Sequence, residues 1–366
     1  MRVNVKKTKI VHFRIKSQVK SSFSFTFNQE QVECVNRYKY LGIILDENLD
    51  FNCTASVLSN SANRALGGIC SKFRKLKGLG FNTMTSLFQT GVVPILDYCS
   101  GIWGYQQYSQ IDAVQNRAIR FYLGLHRFSP NLAINGDVGW LGSRIRRKIN
   151  MLRLWNRLLN FVDSRLVKKV FMWDVRKRRS VGSWSSDIFK IMLELNLIHS
   201  YENLLPVDLG VAKRQLHENY ISAWKNEIID TPKLRTYCLF KELYETEPYV
   251  YKVHNRRERS LLSQFRCGIL PLKVETGRYT QVPLEYRLCL LCEENCIEDE
   301  MHFFFDCSFY SNLRLNFLEY IMDMYPTFPE LNRNEKLKMC MSNCLVKHTA
   351  KYITDCVNRR QEALYN

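Results

Sequence analysis

One segment limits what this chain can fold into more than any other. Residues 289–307 read CLLCEENCIEDEMHFFFDC, four cysteines and one histidine within nineteen residues. The spacing is Cys289-x2-Cys292-x9-His302-x4-Cys307. A CxxC turn can present two thiolates to one ion. A His-x4-Cys pair can supply the other two donors from a turn or the first turns of a helix. We therefore expect a structural Zn²⁺ held by Cys289, Cys292, His302 and Cys307, with Cys296 as a spare. Glu298, Asp299 and Glu300 should cap or flank the helix carrying His302. Phe303, Phe304 and Phe305 should form the small core that a metal would staple. The bland alternative is a chance cluster in a chain with thirteen cysteines.

That expectation depends on reduced thiols. No apolar run reaches the roughly 20 residues needed to cross a bilayer. The start, MRVNVKKTKIVHF, is charged but lacks an apolar signal core. An intracellular chain, nuclear or cytoplasmic and with no membrane partner, is expected, and there cysteines stay reduced. Single cysteines such as Cys34, Cys70 and Cys99 read as small core residues.

Charge divides the chain. The net charge is +18 over 366 residues. Such an excess suggests a polyanionic partner, RNA or DNA. Residues 1–20, 51–77 and 143–179 carry net charges of +7, +5 and +11. Residues 285–307 hold seven acids against Arg287, a net of −6. A basic first half thus precedes a locally acidic module.

Periodicity gives the elements. Residues 8–15 and 22–28 read as strands, Asn28-Gln29-Glu30 as a turn, and 31–45 as a longer extended segment. Helices are expected over 53–77, 82–104 (kinked at Pro94) and 107–125, and one or two long helices over 143–173, opened by Ser143. The basic, then Ser/Gly-rich stretch 175–186 reads as a linker. Helical patterns recur at 184–198, 211–228, 235–244, 256–267, 308–325, 334–344 and 346–364. The fold class is mainly α with a small N-terminal antiparallel β element. Four parts are expected: 1–50, 51–178, 179–282 and 283–366.

On a helical wheel of 143–162, Arg146, Arg153 and Arg157 fall within roughly 40° of one another. Asn150 and Asn160 flank them, and most of the remaining circumference is apolar. Guanidinium forks match phosphate oxygens, so the stripe reads as a phosphate contact. Lys168, Lys169, Arg176, Lys177, Arg178 and Arg179 would extend the charge. Arg64, Lys72, Arg74 and Lys75 join the candidates. The alternative is a solvated face. Asp46, Asp50, Asp97 and Asp112 form no close carboxylate group in sequence and read as cap or turn residues. His12, His126 and His199 read as structural.

Several stretches resemble one family. Asn4-Val5-Lys6-Lys7-Thr8-Lys9, then Tyr38-Lys39-Tyr40-Leu41-Gly42-Ile43-Ile44-Leu45-Asp46, is similar to the end of the palm in non-LTR (LINE-type) retrotransposon reverse transcriptases. Ala62-Asn63-Arg64-Ala65-Leu66-Gly67, Val93-Pro94-Ile95-Leu96-Asp97-Tyr98 with Ile102-Trp103-Gly104, and Val114-Gln115-Asn116-Arg117-Ala118-Ile119-Arg120 continue the resemblance. Phe265-Arg266-Cys267-Gly268-Ile269-Leu270-Pro271-Leu272 and the Cys-Cys-His-Cys segment extend it to about residue 320. Order and spacing carry it, not any single motif.

The resemblance implies that Lys7 matches the lysine that protonates leaving pyrophosphate. Tyr40, Leu41 and Gly42 would match the primer-grip turn. Residues 53–126 would be a thumb against the template–primer duplex, and the Cys-Cys-His-Cys segment a zinc knuckle. Polymerisation needs carboxylates that hold Mg²⁺. The family places them in a Tyr/Phe-x-Asp-Asp turn, and this sequence contains no Asp-Asp. The expectation is a C-terminal fragment that binds nucleic acid without catalysis. Mg²⁺ would enter only with the missing palm. Two alternatives stand beside it. One is an RNA-directed DNA polymerase whose active site is missing from this chain or supplied in trans by the rest of the retrotransposon polymerase. The other is a zinc-stapled scaffold that binds protein.

Overall fold

The structure, a computed structural model, describes residue 4, residues 7–177 and residues 182–365. Val5 and Lys6 of the palm-like motif, Arg178 and Arg179, and the centre of the expected linker lie outside the described residues. The fold is mainly α, with two small antiparallel strand pairs near the N-terminus.

The strands are shorter than the alternation predicts. Residues 8–15 form no strand; Ile10 makes a single bridge to Cys34. Within 22–28 only Thr26–Phe27 pairs, with Glu30–Gln31. Asn28 and Gln29 turn the chain at φ 49° and 68°. Phe23, Phe25 and Phe27 stay exposed, so no buried face rewards a longer strand. The extended segment 31–45 is instead a hairpin, Arg37–Tyr40 against Ile43–Asp46, reversed at Leu41-Gly42. Its turn has φ 46° at Leu41 and 86° at Gly42. Glycine is the residue that supplies such a conformation without strain.

Packing divides the chain into two units of interleaved segments. The first comprises Met1–Gly68, Gln89–Val114 and Gly142–Leu216. Here Ala55, Leu58, Ala62 and Leu66 line the buried side of the Asn52–Lys75 helix at three- and four-residue intervals. Thr54 ties that helix to the hairpin, its Oγ1 donating to Ile44 O at 2.9 Å and accepting from Ile44 N at 3.0 Å. The helix expected over 82–104 is broken into Phe81–Gly91, Val93–Leu96 and Ser100–Trp103. Pro94 enters at one break, and Cys99, at φ 53°, sits at the other. Cys99 is also exposed, and Cys34 and Cys70 are only half-buried, so these three are not core cysteines. The 143–173 region forms two helices, Ser143–Leu159 and Leu166–Arg176. Trp155 anchors them. It stacks on Tyr201 at 5.4 Å, meets Phe171 edge-on at 5.2 Å, and donates its Nε1 to Leu205 O at 3.1 Å.

The second unit comprises Ile69–Phe88, Gln115–Leu141 and His217–Asn366. The Arg256–Arg266 helix packs along Val346–Tyr365. Asn255 caps the former, accepting from Arg257 N at 2.9 Å. A capping box of Asn332 and Glu335 starts Arg333–Cys340. Residues 235–244 do not form the expected helix; the stretch holds only the 3-10 turn Tyr237–Leu239. Its aromatics are pinned one by one instead. Tyr237 donates to Asp137 Oδ1 at 3.1 Å, and Tyr244 to Trp140 O at 2.9 Å. Among the described residues, no helix is long and apolar enough to cross a membrane.

Candidate metal centre

The backbone of residues 287–298 doubles back through an antiparallel bridge between Leu288 and Ile297. Cys289 N donates to Cys296 O at 2.9 Å, and Glu298 N to Arg287 O at 3.0 Å. Asn295, at φ 50°, helps turn the chain between them. This fold-back puts Cys289 and Cys292 at one end of a short loop. The second pair arrives on the π-helical turn His302–Asp306, where Cys307 N donates to His302 O at 2.9 Å. Asp299 opens that turn, its Oδ1 accepting from His302 N at 2.8 Å. It is thus a helix cap, as the sequence suggests.

The four side chains converge. Cys289 Sγ lies 3.8 Å from Cys307 Sγ, and Cys292 Sγ lies 3.4 Å from His302 Nε2. All four ligand atoms fall within 4.8 Å of one another. The sulfurs are far beyond the roughly 2.05 Å of a disulfide, and all thirteen cysteines are free. The group could hold a metal ion. Cys296 is exposed and outside this tetrad, though near His302 and Glu294. The Cys307 thiol's hydrogen bond favours a thiolate on Cys289, bringing it down to about 4. The same bond keeps the proton on Cys307 and pushes that thiol up. Burial raises Cys292.

Two of the acids around the tetrad, Glu298 and Glu300, are buried in the fold. Glu298 is buried and takes a two-pronged ion pair from Arg360, with Nη2 to Oε2 at 3.0 Å. It also accepts from Lys273 N at 2.7 Å. Glu300, buried, accepts from Arg235 at 2.6 Å and from Thr236 at 3.1 Å. Asp306 pairs with Arg333, so three of the seven acids are neutralised by distant arginines, pairings that local charge counting could not reveal. Glu294 Oε2 stands 4.0 Å from His302 Nδ1, the ring nitrogen turned away from Cys292. Behind the tetrad, Phe303 and Phe304 are fully buried against Phe265, Tyr310 and Tyr352. Phe305 is only half-buried.

The arginine stripe is less uniform than the wheel suggests. Arg153 and Arg157 are exposed, Arg153 bonding Asn150 and Arg157 lying over Phe161 at 5.7 Å. Arg146 is instead half-buried and donates its Nε to Asp97 at 2.7 Å. It has a structural partner, so its charge is met within the fold. Two further basic residues of the helix turn inward. Lys148 pairs with Glu194, and Arg147 is buried against the Trp103 and Tyr108 rings. Lys168 does not extend the surface charge. It is buried, and its Nζ donates to Leu159 O at 2.8 Å and Leu158 O at 3.3 Å, closing the end of Ser143–Leu159. Lys169, Arg176 and Lys177 are exposed. Arg64, Lys72, Arg74 and Lys75 are exposed on Asn52–Lys75. Lys7 is exposed, with its carbonyl accepting from Tyr38 OH at 3.3 Å.

Tyr40 and Leu41 project into solvent at the hairpin turn. Tyr98 OH donates to Leu41 O at 3.0 Å and braces it. The four aspartates have local tasks. Asp46 pairs with Arg37 at 2.7 Å, Asp50 accepts from Asn52 N at 2.9 Å, Asp97 holds Arg146, and Asp112 bonds Ser143.

Compared with models of known protein families, with curated proteins and with solved structures, the chain matches none of them.

Proposed function

We propose that this chain grips RNA or DNA as the C-terminal region of a LINE-type reverse transcriptase does, with a structural zinc and without catalytic carboxylates of its own. The observation that carries the reading is the tetrad. Residues that resemble the family's Cys-Cys-His-Cys segment, in order, bring their ligand atoms within 4.8 Å of one another.

What supports zinc is the donor set and its dimensions. With Zn–S near 2.3 Å and Zn–N near 2.0–2.1 Å, a tetrahedral ion sets two sulfurs about 3.8 Å apart and a sulfur and nitrogen about 3.6 Å apart. The corresponding distances here are 3.8 and 3.4 Å. Cys289, Cys292, His302 and Cys307 would fill all four positions, leaving none for substrate. The ion would then clamp the fold-back to the turn His302–Asp306 and supply no chemistry of its own.

The chain's own residues do the gripping. Arg153, Arg157, Arg64, Lys72, Arg74 and Lys75 meet phosphates. The exposed Tyr40-Leu41-Gly42 turn is the primer-grip-like element for a template–primer duplex. The test measures metal content, binding to RNA, DNA and hybrid duplexes across a salt series, and primer extension with Mg²⁺. About one zinc per chain, salt-sensitive binding and no extension are expected. Extension clearly above a blank would overturn the non-catalytic reading. Salt-independent binding, or none, would favour a zinc-stapled protein scaffold.

A further inference from the structure

Beside the tetrad, within the second unit, lies an open groove of about 1140 Å³. That is near the top of the roughly 300–1,000 Å³ of a typical small-molecule site and open to solvent, with room for an extended ligand. Val274, Ile297, Pro130 and Pro232 contribute apolar lining. Two aromatic rings in the groove remain in solvent: Phe128 is 65% exposed and Tyr279 is 61% exposed. Each carries a guanidinium over its face, Arg127 on Phe128 at 4.6 Å and Arg278 on Tyr279 at 5.2 Å.

The charges of this groove are layered. Arg235 is 42% exposed while its partner Glu300 is 2% exposed. Arg278 is 49% exposed while its partner Glu275 is 7% exposed. The carboxylates lie beneath and the guanidiniums lie outside. An arginine has five N–H donors, and one carboxylate bond leaves outward-facing donors for a second anion. An incoming ligand thus meets these guanidiniums and the exposed rings before Glu275 and Glu300; Asp299, half-buried, is the acid of the lining that stays within reach.

We propose that this groove seats a short stretch of single-stranded nucleic acid, with bases stacked on Phe128 and Tyr279 and phosphates held by Arg235 and Arg278. The proposal rests on the nucleic-acid reading above and adds the strand state and the site. A duplex keeps its base faces stacked internally, so rings of this kind are useful only to unpaired bases. The apolar lining has no role in gripping a duplex backbone.

The experiment uses the full chain, zinc-loaded, with labelled oligo(U), oligo(dT) and a blunt RNA–DNA duplex as probes. Phe128→Ala with Tyr279→Ala should weaken single-strand binding by about fivefold or more per ring, with duplex binding unchanged. Arg235→Gln with Arg278→Gln should weaken it too and flatten its salt slope. A photoreactive base in the oligonucleotide should crosslink to peptides containing Phe128 or Tyr279 in the unmutated protein, a readout that no folding defect can mimic. Unchanged single-strand affinity in the ring variant, or crosslinks that map elsewhere, would overturn this site while duplex binding leaves the broader reading intact. No binding of any probe would remove both. Binding of an apolar acidic peptide in place of the oligonucleotides would also overturn it.

Discussion

Arg266 lays its Nε and Nη2 on the two oxygens of Asp137, at 2.9 and 2.7 Å, and neither side chain has any solvent exposure. Tyr249 donates to the same carboxylate at 2.7 Å and Tyr237 at 3.1 Å. Glu247 Oε2 also meets Arg266 Nη2, at 2.9 Å. A buried pair adds little net stability over an apolar substitute, but removing one partner strands the other. Asp137→Asn should therefore cost about 3–5 kcal/mol, read as a shift in urea midpoint. Replacement with no measurable loss would mean that the pair is not buried in solution.

The same carboxylate gives a pH dependence with a defined sign. Burial pushes the Asp137 pKa up, but Arg266 outweighs it and the net shift is downward. A carboxyl held below its unfolded value near 3.9 stabilises the fold above that pH. The contribution is lost as pH falls through the folded value. Urea midpoints should therefore drop on acidification below about pH 4, and the drop should be smaller in Asp137→Asn. Parallel pH curves for the two proteins would refute the assignment.

These buried pairs mark where the sequence stopped being legible. The tetrad could be read because CxxC and His-x4-Cys are local spacings, and local spacing survives folding. Helices with a clear apolar stripe, such as Asn52–Lys75 and Ser143–Leu159, could be read for the same reason. Arg146, Lys148 and Lys168 could not. Whether a cation on a helical wheel faces water or a carboxylate depends on elements such as Asp97 and Glu194, forty-six or more positions away for the first two. The strand expected over 8–15 is absent and that over 22–28 is cut to Thr26–Phe27 for a related reason. Alternation shows that one face could be buried, and here exposed Phe23 and Phe25 find no layer to cover them.

Gly136 tests the packing around the same network. A Cβ there would lie 2.5 Å from Trp224 Cζ2 and 2.6 Å from Tyr237 Oη, the hydroxyl that bonds Asp137. Gly136→Ala should destabilise by about 1–3 kcal/mol through overpacking. Thermal unfolding of the variant at neutral pH measures it. An unchanged midpoint would show that Trp224 can move aside.

Metal removal should unfold a part and not the whole. A metal in the tetrad would hold the 287–298 fold-back to the His302–Asp306 turn, whereas Arg256–Arg266 packs on Val346–Tyr365 without it. Chelation should raise hydrogen exchange in 287–310 first. Cys292→Ala with Cys307→Ala should abolish metal binding. Retention of a full zinc by that double variant would move the site elsewhere.

The basic helix carries both exposed arginines and a structurally paired one, so Arg146 and its two stripe-mates have different expected phenotypes. Arg153 and Arg157 are exposed and free of any carboxylate partner among the ion pairs described. Replacing both with Gln should leave the unfolding midpoint within error. It should weaken binding, and reduce the log–log salt slope by roughly 0.7–0.9 per lost phosphate, the lower figure for single strands. Arg146→Gln should do the reverse. It leaves the largely buried Asp97 without its partner, so stability should fall while the salt slope stays. The two variants are measured side by side, by urea unfolding and by a salt titration of duplex binding. An unchanged slope in Arg153→Gln/Arg157→Gln would remove this face from the interface. An Arg146→Gln protein with native stability and a reduced slope would return that arginine to the phosphates. A changed sequence preference in the double variant would mean that the stripe reads bases as well as backbone.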